Sequence, residues 1–316
     1  MSKIANDNPV DQDGEIKDDI ILPFQLQESG LRGRAVRLGD TLDQILSAHQ
    51  YPQAISHLLA DTIALTAALS SMLKFEGVFT LQASGKGVIK TLVSDMDSDG
   101  NIRGCAAFSA EDFEKLTPSG DGTYDGYALS ELMGEGYLAF TVDQGESTER
   151  YQGIVALEGD SLQDSVTHYF EQSEQLRTSL YVGSQHVDGA WRSGALMLQF
   201  LPDDNADSDV VAFNDKTDNE RKEDWKRSKI LLQSCTRDEI TDKDLHVNEL
   251  LRRLFHEEGV IVYSEQKLEK KCRCTLERVK GVVDGLSDED RAHAAKDGKI
   301  EMTCEFCSRT YTIDVN

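Results

Sequence analysis

Nothing in this 316-residue chain approaches the run of about 20 apolar residues that a membrane-spanning helix requires. Its opening, MSKIANDNPVDQDGEIKDD, lacks the apolar segment of a secretory signal. A reducing, cytoplasmic setting is therefore expected, where paired cysteines serve metals or redox chemistry rather than structural disulfides. Positive charge is short as well: 33 lysines and arginines face 57 acidic residues, a net charge of -24. That balance argues against nucleic acid and anionic membrane as partners.

Catalytic signatures are missing too. Gly85 and Gly87 complete neither a Walker-type phosphate loop nor G-x-G-x-x-G, and read as a turn. His256 lies in His-Glu-Glu-Gly with no second histidine four residues on, so it reads as a helix-end residue rather than part of a zincin. None of the seven histidines sits in a recognisable nucleophile signature. Asp95, Asp97, Asp99 and Gly100 copy the first half of an EF-hand loop, but Ala106 stands where the bidentate glutamate belongs. They read as a polar hairpin turn. No enzyme activity is expected.

What the chain does have is four cysteines in two close pairs near its end, Cys272 and Cys274 as C-x-C and Cys304 and Cys307 as C-x-x-C. Residues i and i+2 of an extended chain share a face, so the first pair can converge on one ion. Glu305 and Phe306 can form the turn of the second. Together they make an all-sulfur, closed zinc site, one ion per chain. Cys105 reads as a buried small hydrophobe on a strand. Cys235 is a lone thiol whose role the sequence leaves open.

Around this site the chain reads as α+β, with a large domain on a mainly antiparallel sheet, a helical linker and a small C-terminal zinc domain. Residues 1–19 form an acidic tail expected to be disordered, and residues 20–202 the large domain. Strands are expected at Ile21–Leu26, Ala35–Leu38, VFTLQA, VIKTLVSD, IRGCAAF, Tyr137–Val142 and Gln152–Leu157. A buried helix runs from Pro52 to about Lys74, Ser161 caps another, and a hairpin turns at Asp188-Gly189. Residues 203–265 are a charged and helical linker. There Thr236 and Glu239 have capping-box spacing, and DLHVNELLRRLFHEEG carries Leu250, Leu251, Leu254 and Phe255 on one side. That stripe either packs on the large domain or is covered only conditionally, becoming an exposed apolar patch for a partner when released. Residues 266–316 are the four-cysteine domain.

A module of that size, whose few large apolar residues are Leu268, Leu276, Val279, Val282, Val283, Leu286, Ile300, Met302, Phe306, Tyr311, Ile313 and Val315, cannot rest on a hydrophobic core alone, so metal binding and folding should be one equilibrium. Four thiolates on a zinc ion carry a formal charge of -2, which Lys270, Lys271, Arg273 and Arg278 could balance. Thiolates are also what oxidants attack. A disulfide between Cys272 and Cys274 would close a small, strained ring, easily reduced again. A reversible oxidant switch and a permanently structural zinc site both fit these properties.

The cysteine spacing, its 29-residue insert and the frame LRRLFHEEGVIVY…CRC…CEFC…Y resemble the bacterial redox-switched heat-shock holdases, the 33-kDa chaperonin family. LKFEGVFTLQASGKGVIKTLVSD, IRGCAAF, YQGIVALEGDSLQDSVTHYFEQSEQ and GALMLQFLP carry the same resemblance. It implies a chaperone that is inactive when reduced and zinc-bound. Oxidation would form disulfides Cys272–Cys274 and Cys304–Cys307, release zinc, unfold the zinc domain and linker, and let a homodimer hold unfolding client proteins without ATP. The acidic tail and Cys235 depart from the family pattern. The enzyme-class alternative is a thiol–disulfide oxidoreductase using Cys304 and Cys307, though no thioredoxin-like βαβ pattern surrounds them.

Overall fold

Strand β1 (Ile20–Leu26) and strand β2 (Arg32–Leu38) pair antiparallel, and both faces of the pair contribute buried apolar side chains. Side chains alternate along a strand. Ile21, Val36 and Leu38 enter one core, whereas Ile20, Leu22, Phe24 and Ala35 enter a second. A strand that is apolar on both faces needs cover on both. In the computed structural model the described residues are 17–73, 75–120, 122–145, 151–173, 176–200 and 216–315. The expected tail therefore lies outside them up to residue 16, as do residues 203–215 of the expected linker.

Helix α1 (Asp40–Leu46) has no counterpart among the sequence expectations. It is under two turns long, and its first amides are satisfied from outside: Gly39 and Thr41 donate to the carboxylate of Asp19 at 2.9 and 3.1 Å. Such a cap leaves no local signature. Helix α2 (Gln53–Ser70) follows, buried at every position after the first. An all-round apolar helix belongs between layers, and α2 touches strands of both sheets.

The meander β3 (Val78–Gly85), β4 (Ile89–Asp97) and β5 (Asn101–Phe108) is antiparallel, as the glycine and aspartate turns require. Short helices α3 (Ala110–Lys115) and α4 (Leu129–Met133) lead to β6 (Gly136–Asp143) and β7 (Tyr151–Ala156). Ser161 caps α5 (Leu162–Gln172) by accepting from the Asp164 amide. The hairpin β8 (Thr178–Val187) and β9 (Ala190–Gln199) turns at Asp188 and Gly189, both with positive φ, the pairing a tight primed turn demands.

The charged segment beyond forms α6 (Asp218–Gln233), opened by a reciprocal capping box between Thr217 and Glu220. The expected box at Thr236 and Glu239 opens α7 (Arg237–Thr241). Helix α8 (Val247–Phe255) follows and ends in a 3-10 turn through His256, with Gly259 in the left-handed region. These helices lie on the second face of the first sheet. Leu232, Ile240, Leu250, Leu251, Leu254 and Phe255 pack there with Phe24, Leu196 and Leu198. Ile240 sits so close that a Cβ on Gly194 would come within 2.7 Å of it. Arg37, 1% exposed, donates to the Leu245 carbonyl at 3.0 Å and to that of Asp242. Arg192 donates to the Thr241 carbonyl, and Asp18 pairs with both arginines. The buried Arg37 and the half-buried Arg192 thus hold the turn between α7 and α8.

The chain then joins both sheets. β10 (Val260–Val262) and β11 (Gln266–Lys267) pair with β1, and β12 (Glu269–Lys270) pairs parallel with β5. The first sheet runs β10-β1-β2-β9-β8 and the second β12-β5-β4-β3-β6-β7. Leu268, expected in the zinc domain's core, is buried in the main core instead. Past Lys271 come α9 (Leu276–Asp284), α10 (Asp288–Ala294) and the hairpin β13 (Lys299–Thr303) with β14 (Thr310–Asp314). The architecture is α+β on antiparallel sheets.

Candidate metal centre and its seat on the sheets

The C-terminal module has little to hold it together. Its apolar cluster has Val283, Ile300 and Ile313 as its buried members, with partly buried residues around them. Leu276 and Val282, expected in that core, are 39% and 54% exposed. Burying three aliphatic side chains contributes about 2 kcal/mol each, far short of the conformational entropy of some 45 residues.

The four thiols supply what the core lacks. Cys272 and Cys274 lie on extended chain between β12 and α9, and their sulfurs are 3.3 Å apart. Cys304 and Cys307 lie in the turn between β13 and β14, which Ser308, with positive φ, helps to close by donating its amide to the Cys304 carbonyl. Across the pairs, Cys272 is 3.6 Å from Cys304 and Cys274 is 3.5 Å from Cys307. All four sulfurs fall within 4.8 Å of one another. Zinc–sulfur bonds of about 2.3 Å put tetrahedral sulfurs about 3.8 Å apart, so the cluster fits zinc. In such a cluster distance alone does not choose which sulfurs would pair as disulfides.

The electrostatics agree with a cation site. Without a cation, burial works against ionising Cys272, but hydrogen bonds from the Cys274 backbone and from the other three thiols outweigh it and bring it down to about 7. Burial and the bonds it makes to the other sulfurs push Cys307 up to about 12, and Cys304 is raised as well. One thiolate forms easily, while Cys304 and Cys307 resist because burial and hydrogen bonds to neighbouring sulfurs favour their neutral forms. A bound dication removes that penalty and deprotonates all four. The raised thiols also bear on the oxidoreductase alternative. Thiol–disulfide enzymes activate a cysteine at a helix N-terminus, whereas Cys304 and Cys307 sit in a turn between strands.

Several groups around the sulfurs have no signal in sequence. Arg103 of β5 donates to Cys272 Sγ at 3.8 Å and lies 3.8 Å over the Phe306 ring. The Tyr311 hydroxyl, expected among the module's apolar residues, donates to Cys274 Sγ at 3.3 Å. Arg309 is raised first by its hydrogen bond to Tyr311 and less by the charges of Cys274 and Cys307. Three of the four cations expected to balance the thiolates turn elsewhere: Lys270 to the Gln44 carbonyl, Arg273 to Asp95 and Arg278 to the Arg273 carbonyl. His49 bridges to the C-x-x-C turn, contacting the Phe306 carbonyl at 3.4 Å and Ser308 Oγ at 3.1 Å.

The hairpin turn itself is Ser98–Gly100, between β4 and β5, with Asp97 accepting from the Asp99 and Asn101 amides, while Asp95 lies on β4 opposite Arg103. Asp95, however, is buried beneath the module. Cys105 is half-buried, not buried as expected, because it faces away from α2 toward Glu305. Cys235 is buried among the linker helices. Burial pushes both thiols up to about 12, and for Cys105 the Glu305 carboxylate adds to the effect. Leu250, Leu251, Leu254 and Phe255 are all buried against the first sheet, with the Phe255 ring 6.0 Å from that of Phe24. Among the described residues no helix is long and apolar enough to cross a membrane.

Known proteins resemble this chain over nearly its whole length. The chain is 34% identical over 310 residues to the 33 kDa chaperonin of Caulobacter vibrioides, covering 96% of this chain and 97% of that protein. It is 34% identical over 289 residues to the 33 kDa chaperonin of Escherichia coli, covering 91% and 89%. The crystal structure of the 33 kDa chaperonin from Thermotoga maritima shares the fold at a TM-score of 0.75 and 18% identity, over 94% of this chain and 95% of that one. The family model described as Hsp33 protein matches residues 19–314. On this evidence the chain belongs to the Hsp33 family.

Proposed function

We propose that this protein is a redox-regulated, ATP-independent holdase, a chaperone whose reduced, zinc-bound form is inactive. Membership of a family of chaperonins supports the chaperone role. One observation carries the mechanism. The second face of the first sheet is apolar, and its cover is the linker that runs directly into the four-thiol cluster. Loss of the C-terminal fold would remove the anchor of that cover.

Cys272, Cys274, Cys304 and Cys307 are the metal ligands in this reading. Zinc, when bound, ionises the thiols and closes the small fold. A peroxide takes two electrons from a thiolate pair, its O–O bond breaks, two hydroxides leave and a disulfide forms. With disulfides Cys272–Cys274 and Cys304–Cys307 formed, the cluster no longer offers four thiolates, and the thin core cannot hold the module alone. The linker then loses its tether at β10–β12 and uncovers Phe24, Leu196 and Leu198 together with its own Leu250, Leu251, Leu254 and Phe255. Partners are unfolding client proteins in the cytoplasm, held by a homodimer.

Peroxide with mild heat should release one zinc per chain, join each local cysteine pair in peptide maps, and let the protein suppress light scattering by a denaturing client. Oxidised, zinc-free protein that leaves scattering unchanged would sink this reading.

A further inference from the structure

Arg103 joins three things at once. It faces away from α2, because its neighbour Gly104 packs so close to that helix that a Cβ there would lie 2.9 Å from Ile63. Its Nε and Nη2 grip the Asp95 carboxylate at 2.9 to 3.1 Å, its Nη1 reaches Cys272 Sγ at 3.8 Å, and its guanidinium lies 3.8 Å over the Phe306 ring. Asp95 in turn accepts from Arg273, between two of the cysteines, at 2.8 Å. Its side chain is 6% exposed. One buried carboxylate is thus shared by an arginine of the second sheet and an arginine of the module.

We propose that Arg103, fixed by Asp95, is a positioning residue that couples the charge on Cys272 to the seating of the C-terminal module on the second sheet. The inference rests on the metal-binding reading of the thiol cluster. With Cys272 as a thiolate, two guanidiniums face one carboxylate and one sulfur anion, and the charges cancel. A charge-assisted bond to sulfur is then strong, and the stacked, forked guanidinium is geometry that only arginine provides. When a peroxide withdraws two electrons from Cys272 and Cys274, two hydroxides leave and a neutral disulfide remains. The joint is left with two cations on one carboxylate, half out of water, and an acceptor that no longer attracts. The same residue that holds the reduced module in place therefore favours its departure once oxidised.

The amides of Glu269 and Lys271, which donate to the carbonyls of Gly100 and Ile102, lie at the same seam and report on seating. The test uses the full-length chain loaded with zinc, or with cobalt as a spectroscopic probe. In R103Q, zinc transfer to a chromophoric chelator should speed up by about 10- to 100-fold, the range for groups that orient metal ligands. The thiolate-to-cobalt charge-transfer band should shift, and exchange at Glu269 and Lys271 should accelerate. R103K keeps the charge but not the fork, and should fall between. F306L, which leaves the Arg103–Asp95 pair intact, should change all three in the same direction by less, and carries the test if R103Q does not fold. Faster exchange with an unmoved cobalt band and unchanged zinc transfer would mean that Arg103 is merely structural, and would overturn the proposal. A wild-type chain that binds neither ion would overturn the metal reading and the joint with it.

Discussion

Cys235 offers a direct clock for release of the linker helices. It lies in the core between those helices and the first sheet, 3% exposed, and burial pushes its thiol up to about 12. At pH 8 a thiol with that pKa is about 10⁻⁴ ionised, whereas an exposed cysteine near 8.5 is about one quarter ionised. Ionisation alone thus favours the released state by on the order of 10³-fold. A high-pKa thiolate is intrinsically the better nucleophile, which returns about 25- to 55-fold, but an alkylating agent cannot reach it while the helices are packed. Iodoacetamide labelling, quantified on the peptide that contains Cys235, should therefore accelerate at least about 10²-fold when the zinc-loaded protein is treated with peroxide and mild heat. Cys105 reports a different event. Its thiol is held at about 12 by burial and by Glu305 of the C-terminal module, so it should become reactive when the module leaves the second sheet. Should Cys235 stay protected after the four cluster cysteines have become disulfides, the linker is not released by oxidation and the reasoning fails.

Two further substitutions follow from the packing. Leu250 is fully buried against the first sheet, and L250A should cost about 3 kcal/mol of linker docking. In reduced protein it should speed Cys235 labelling while zinc stays at one per chain; unchanged labelling, or loss of zinc, would contradict the separation of linker from metal site. Asp61 on α2 is buried beside Ser184, and burial raises it to about 7 against the lowering effects of Ser184 and Arg237. Its native state keeps a proton that the unfolded state has lost from about pH 4 to 7, so its contribution to stability falls as pH rises through that window. Neighbouring His57, lowered to about 4 by burial, works the other way, losing stability as pH falls from 6.5 to 4, but it is common to both proteins and cancels in their difference. D61N should thus gain about 3 kcal/mol more over wild type at pH 8 than at pH 5 in urea unfolding; a gain independent of pH would show that Asp61 is not buried as a neutral acid.

The strands and most of the longer helices were legible because their signals are local. Alternating β-branched residues mark β3 to β5, Ser161 and Thr236 cap their own helices, and Asp188-Gly189 can hardly be other than a tight turn. Helix α1 was not, since its cap comes from Asp19, some 20 residues upstream. For the linker, the apolar stripe on α8 was visible, but nothing local distinguished permanent packing from conditional cover. That depended on the second face of β1, β2 and β9 being apolar, a property of strands far away in the chain.

The metal site divides in the same way. Four cysteines at i, i+2 and i, i+3 spacing need only short-range geometry to converge in pairs, so the sequence alone picked out the four thiols that cluster and the thinness of the module around them. Arg103 lies 169 residues from the sulfur it touches, and Asp95 reads as an ordinary turn residue until Arg273 is laid across it. Charge balance around a thiolate depends on distances in space, which no spacing along the chain encodes. Only the tertiary structure could decide which cations face the sulfurs, and that Cys105 and Cys235 are quenched by burial at the two surfaces a switch would open.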